Sequence, residues 1–148
     1  MKLGKTIGEI KVGDQAESQR TISESDVYLF CGITGDSNPL HLNEEYAKGT
    51  KLRTRVVPGG LVASLGTALT AAELPGPGTT GLEIYLKMQS PAYIGNTITT
   101  IGTIKERLVE KNIVKLDLKW VNQDGRIIGE GFVVVKPPKR EVPMRKDS

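Results

Sequence analysis

Pro58-Gly-Gly-Leu-Val-Ala-Ser-Leu-Gly-Thr-Ala-Leu-Thr-Ala-Ala-Glu-Leu74 is the stretch around which the chain organises itself. It carries a single charge, Glu73, and its polar residues are all small. A segment that is apolar or small on every side predicts a helix buried all round. Pro58 stands where a helix begins and its missing N–H costs little. Pro75-Gly76-Pro77-Gly78 then ends the helix abruptly. With 17 residues and three internal glycines the segment is a poor membrane span.

Outward from this helix the pattern differs on its two sides. Residues 1–22 read as an extended lead-in with a turn at Gly13 and a strand at 15–22. Ser23 and Ser25 offer N-caps for a helix over 24–33, where Val27, Leu29, Phe30 and Ile33 form one stripe. Thr34-Gly-Asp-Ser-Asn-Pro39 interrupts it, and Asn43 can cap a short helix that follows. Beyond residue 79 the period becomes two. Val114, Leu116, Leu118 and Trp120 alternate with Lys115, Asp117, Lys119 and Val121, and Asn122-Gln-Asp-Gly125 turns the chain into a strand at 126–136. Strands at 80–90 and 97–109 complete an antiparallel meander. Helices segregated from strands predict an α+β fold in which a sheet wraps one central helix. The domain spans 1–137, and 138–148 is a basic tail expected to be flexible. Apolar residues on both faces of 126–136 suggest that one sheet face meets a partner subunit.

Charge and rare residues exclude whole classes of function. Net charge is +3, yet residues 136–148 hold five basic and two acidic side chains, so the rest of the chain is neutral. Only 5% of residues are aromatic, and no basic stripe with stacking platforms exists for nucleic acid. One Cys and one His leave no disulfide framework and no Cys/His metal cage. The N-terminus, MKLGKTIGEIKVGD, lacks the apolar core of a signal peptide, and a lone Cys31 suits a reducing compartment. A cytoplasmic protein bound to neither membrane nor nucleic acid is expected.

Histidine chemistry must run through His41. It lies five residues after Asp36 in a Gly/Pro-punctuated loop, beside Asn38. A carboxylate and an imidazole converging on one point can hold a water and move protons, and Asn38 can orient either group. The same spacing also suits turn-forming Asp and Asn residues around a structural histidine.

The stretch Phe30-x-x-x-Thr34-Gly35-Asp36-Ser37-Asn38-Pro39-Leu40-His41-Leu42-Asn43 resembles the signature of the MaoC-like, R-specific enoyl-CoA hydratases. Gly59-Gly60-Leu61-Val62-Ala63-Ser64-Leu65 looks like the start of that family's central helix. Leu74–Gly78 is similar to its helix exit, and Ser90–Ile98 to its strand–turn–strand. The resemblance covers residues 25–137. It implies the hot-dog fold, dimeric through sheet edges, with 24–48 as an overhanging segment that carries the catalytic loop.

For the chemistry, the resemblance implies syn addition of water to a trans-2-enoyl-CoA, giving the R-3-hydroxyacyl-CoA, and the reverse dehydration. Asp36 and His41 would bind the water, with Asn38 beside them. The Gly59 N–H would bind the thioester oxygen at a helix N-terminus, with Gly60 next to it. Thr67 aligns with a hydroxyl that touches the catalytic Asp in some relatives; a bond to its own helix suits it as well. No metal and no cofactor are implied, coenzyme A being part of the substrate. Many relatives carry a histidine just before this glycine, where this chain has Pro58. Pro58-Gly59-Gly60 is similar instead to the turn of acyl-carrier-protein dehydratases. Two alternatives follow: a dehydratase for acyl-carrier-protein or branched or dicarboxylic CoA thioesters, and a non-catalytic acyl-CoA-binding subunit. Lys87, Lys105, Arg107 and Lys119 are candidates for coenzyme A phosphates.

Overall fold

A computed structural model describes residues 2–140. After a 3-10 turn at Ile7–Glu9 come β1 (Gln15–Thr21), α1 (Glu24–Thr34), α2 (Pro39–Leu42), α3 (Glu44–Lys48) and α4 (Gly59–Ala72). Four strands follow: β2 (Thr80–Met88), β3 (Thr97–Leu108), β4 (Ile113–Val121) and β5 (Ile127–Lys136). All pair antiparallel in one sheet of order β1-β3-β4-β5-β2, wrapped around α4. This is the α+β hot-dog arrangement expected, with one difference from a simple meander. β2 does not pair with β3 but crosses to the opposite edge, beside β5. Residues 89–96 make that crossing, anchored by a bridge between Val56 and Tyr93 and by Val57 N–H donating to the Ala92 carbonyl at 2.7 Å.

The core lies between α4 and the concave sheet face. Val62 and Leu69 of α4 meet Ile98, Ile104, Leu116, Leu118, Trp120 and Val133. Small residues set how closely helix and sheet approach. A Cβ on Gly66 would lie 2.7 Å from Leu118 Cδ1 and 2.8 Å from Trp120 Cζ2, so only glycine fits there. The expectation of burial on every face of α4 needs correction. Ser64, Ala68 and Ala71 are exposed, because the sheet covers the helix on one side and α1 reaches only its first turn, at Gly60. Small side chains here mark close approach rather than complete enclosure.

The convex face is polar over β1 and β3. Gln15 donates to Thr103 Oγ1 at 3.0 Å, Gln19 to Thr99 Oγ1 at 3.2 Å, and Thr21 and Thr97 pair at 2.7 Å. Over β5 it carries half-buried Phe132 and Val134 between exposed Glu130 and Lys136. Phe132 stacks on Tyr85 at 5.3 Å between centroids, and the Lys115 ammonium sits 4.3 Å above its ring. β5 therefore lies inside the sheet, and the exposed apolar strand is β2, with Leu82, Ile84, Tyr85 and Met88 uncovered. Of the basic tail, Pro138 packs over Gly78 and Arg140 pairs with Glu9 at 3.0 Å; 141–148 lie outside the described residues. No helix among the described residues is long and apolar enough to cross a membrane.

Helix caps follow the sequence pattern. Ser23 accepts from the Asp26 N–H at 3.1 Å while the Asp26 carboxylate accepts from the Ser23 N–H at 2.9 Å, a reciprocal box that starts α1. Gly35 ends α1 in the left-handed region, φ 76°, where residues with a Cβ are disfavoured.

Gly66→Val is expected to lower unfolding stability by about 3 kcal/mol in urea titration, since Trp120 cannot yield. A loss below about 0.5 kcal/mol would contradict the close approach. Hydrogen bonds hold four carboxylates below their ordinary values of 3.8 to 4.5: the Thr6 backbone on Glu9, Arg55 on Glu24, the Ser23 backbone on Asp26, and the Thr54 hydroxyl followed by Arg55 on Glu44. A lowered folded-state pKa gives stability that is present at neutral pH and lost as pH falls through that range. The urea midpoint should therefore drop between pH 6 and pH 3, and a flat or rising midpoint would count against these pairs.

Candidate active site

Asp36 and His41 are brought together by a loop whose shape is set locally. Thr34 Oγ1 accepts from the Asp36 N–H at 3.2 Å, and Asp36 Oδ1 from the Asn38 N–H at 3.1 Å. Asn38 Oδ1 then accepts from the Leu40 N–H at 3.0 Å, capping α2 with Pro39 at its first position. This short helix delivers His41 inward, while Asp36 stays in the loop mouth with a third of its side chain exposed. Asn38 thus uses its side-chain oxygen on the loop backbone, which makes it a shaper of the loop.

His41 is only 9% exposed, so its ring needs partners. Nδ1 lies 2.8 Å from the Val56 carbonyl oxygen. A carbonyl can only accept, so Nδ1 carries the proton, and in the neutral ring Nε2 presents a lone pair. That lone pair faces Asp36 Oδ2 at 3.7 Å. Two acceptors at this separation do not bond each other, but a small donor with two O–H groups reaches both. Behind the loop, Cys31 is buried, and burial together with the Asp36 carboxylate pushes its thiol above the usual range. It stays a neutral packing residue.

The strap at 55–58 joins this pair to α4. Val56 N–H donates to the Leu40 carbonyl at 3.0 Å and its own carbonyl holds His41, so α2 is clipped to the strap from both sides. Three residues on, α4 begins. Its first intrahelical donors are Leu61 and Val62, both to the Pro58 carbonyl. The Gly59 and Gly60 N–H groups have no acceptor among the described residues, as befits a helix N-terminus. Gly60 is also where α1 docks: a Cβ there would meet Phe30 Cζ at 2.9 Å. Met88, at the end of β2, reaches within 3.8 Å of a Cβ placed on Gly59.

The other candidates fall elsewhere. Thr67 donates to the Ser64 carbonyl at 2.9 Å, a bond within its own helix, and lines a shallow groove with Gly81, Leu82 and Ile84. Lys87 and Lys119 both flank Glu130 on the convex face, and Lys105 there pairs with Asp117 at 3.8 Å. The Arg107 Nε is buried with no partner among the described residues. These four cations do not converge on the Asp36–His41 loop. No group of three or more His, Cys, Asp or Glu side chains gathers among the described residues. Reasoning from residue types missed the Val56 carbonyl, which has no side-chain signature, and α2, which the Asn38-Pro39 cap signal does announce.

Comparison with known proteins agrees with this architecture. A MaoC like domain matches residues 8–121. The chain is 39% identical over 132 residues to an (R)-specific enoyl-CoA hydratase of Rhodospirillum rubrum, spanning 89% of this chain and 91% of that protein. A mitochondrial 3-hydroxyacyl-[acyl-carrier-protein] dehydratase of Solanum lycopersicum is 32% identical over 142 residues, covering 90% and 85%. Among solved structures, unliganded R-hydratase PhaJ1 from Pseudomonas aeruginosa superposes with a TM-score of 0.86 at 33% identity, covering 92% of this chain and 87% of that one. With a family match across most of its length and a scaffold that superposes so fully, the chain belongs to the MaoC-like domain family.

Proposed function

We propose that the chain is an R-specific enoyl-CoA hydratase, a hydro-lyase that interconverts trans-2-enoyl-CoA and (R)-3-hydroxyacyl-CoA. The observation that carries this reading is the pair of acceptors, His41 Nε2 and Asp36 Oδ2, 3.7 Å apart and tied through the Val56 strap to the start of α4, where the Gly59 and Gly60 N–H groups have no acceptor among the described residues. A water donating one hydrogen to each is oriented with its oxygen lone pairs free. When that oxygen bonds to Cβ, the π electrons move toward the thioester carbonyl, and the Gly59 N–H stabilises the enolate oxygen. A single preorganised donor of this kind is worth roughly 2.7–4 kcal/mol. The O–H bond broken in that attack gives its proton to the Asp36–His41 pair, and the pair passes it to Cα on the same face, so the elements of one water are added. Water and substrate suffice, so the reaction calls on no metal and no cofactor beyond the coenzyme A of the substrate.

The R. rubrum relative supports a CoA thioester as substrate. The acyl-carrier-protein reading rests on the more distant tomato relative. A non-catalytic subunit would have no chemical need for Asp36, His41 and an unpaired Gly59 N–H together.

The free edge of β2 supports a homodimer. A nine-residue edge flanked by Leu82, Ile84 and Met88 is poorly protected against pairing with a second copy. Antiparallel addition there would join two sheets and cover the apolar flank that reaches toward Gly59. Such a protein would work in the cytoplasm.

With crotonyl-CoA, the protein should consume the enoyl absorbance. Asp36→Asn and His41→Ala should each lower kcat by about 10²–10⁴-fold while circular dichroism stays native. Retained activity in both variants would overturn the mechanism. Light scattering should give twice the chain mass at 10 µM. Ile84→Glu should shift that mass toward the monomer, whereas a wild-type protein at the single-chain mass would refute the edge pairing.

A further inference from the structure

Arg55 is the best-paired cation among the described residues, and its side chain is only 16% exposed. One terminal nitrogen of its guanidinium lies 2.7 Å from Glu24 Oε1 and donates to the Tyr28 hydroxyl at 3.0 Å. Its Nε lies 3.1 Å from Glu44 Oε2, and its backbone N–H reaches the same oxygen at 3.4 Å. Tyr28 OH closes the circuit by donating to Glu24 at 3.2 Å. The partners have a shared meaning. Glu24 opens α1, the helix whose end leads through Gly35 into Asp36, and Glu44 opens α3, the helix that follows His41. Arg55 itself precedes Val56, whose carbonyl fixes the imidazole.

One planar fork thus ties three chain segments on which the candidate acid–base pair depends. A surface ion pair would be weak, but a forked guanidinium shared by two carboxylates and a phenol, largely shielded from water, holds geometry as well as charge. Arg55 is the residue just before Val56, so the clamp fixes the chain on one side of the carbonyl that holds the imidazole, while the Leu40 carbonyl and the bridge to Tyr93 hold Val56 itself. We infer that Arg55 is a positioning residue. By clamping Glu24 and Glu44 it holds the Val56 carbonyl on His41 Nδ1, keeps the ring in the Nδ1–H tautomer, and sets the gap between Nε2 and Asp36. This rests on the hydratase reading above, and it assigns the clamp a role in the chemical step rather than in substrate binding. A displacement of about 1 Å in such a pair costs about 10²-fold in rate.

The chain's one histidine makes the test direct, because its imidazole nitrogens can be assigned by two-bond ¹H–¹⁵N correlation without mutagenesis. In the wild type the proton should sit on Nδ1. Arg55→Met should move the tautomer population toward Nε2–H and lower kcat about 10–100-fold, with KM for crotonyl-CoA within about 3-fold. Arg55→Lys, which keeps the charge but not the fork, should recover only part of kcat. If Arg55→Met does not fold, Glu44→Gln removes one arm and should change tautomer and kcat in the same direction by a smaller factor. An unchanged tautomer in the folded variants, with or without lost activity, overturns the inference, as does a rise in KM alone, which would put Arg55 on the substrate. Failure of the hydratase reading is separately visible, since it appears as inactivity of the wild type while the imidazole experiment still reports the tautomer.

Discussion

The hydrogen bond from His41 Nδ1–H to the Val56 carbonyl, 2.8 Å long, is the constraint on which the site depends. It satisfies a buried imidazole that would otherwise leave a donor unpaired, a loss of about 1–3 kcal/mol. It also selects the tautomer, so that the other nitrogen can accept a proton from a bound water. The same carbonyl belongs to the strap that feeds α4, so the imidazole and the unpaired N–H groups of Gly59 and Gly60 are held in one frame. Asp36 reaches that frame from the other side, through the capped turn after α1. A histidine, a carboxylate and a helix N-terminus from three segments are thereby linked through one strap.

The rest of the fold keeps that frame rigid. Trp120 and Leu118 press against Gly66, and Phe30 of α1 presses against Gly60, so α4 is fixed at its middle by the sheet and at its start by the overhang. Loops with function sit on scaffolds of this kind because the scaffold bears the entropy of placing them. The cost appears at β2, whose apolar flank is left exposed, and whose Met88 lies beside the glycine that opens α4.

Much of this was legible in residue order because it is local. Ser23 and Asp26 announce the start of α1, Gly35 its end, Pro58 and Pro75 bracket α4, and the alternation in 113–121 is a strand by period alone. The loop motif around Asp36 and His41 was legible through its likeness to a family. What was hidden is what depends on distant partners. Nothing in 80–88 says that β2 will leave β3 and pair with β5, because the path of 89–96 across the strap decides it. The small residues of α4 suggested enclosure, whereas they serve a close approach on one side. The acceptor for His41 is a backbone atom 15 residues away, and the carboxylates of Arg55 lie 31 residues before it and 11 before it. Such pairings exist only once the chain has folded.

A water held by Asp36 and His41 on one face of the alkene, with its proton returned through the same pair, would place the hydroxyl and the new hydrogen on that one face. Hydration of crotonyl-CoA in D₂O, with the product's configuration read by NMR and chiral chromatography, measures this directly. One diastereomer should form, R at C3, with the deuterium at C2 on the same face as the new hydroxyl. An S product, anti addition, or deuterium scrambled between the two positions at C2 would contradict it.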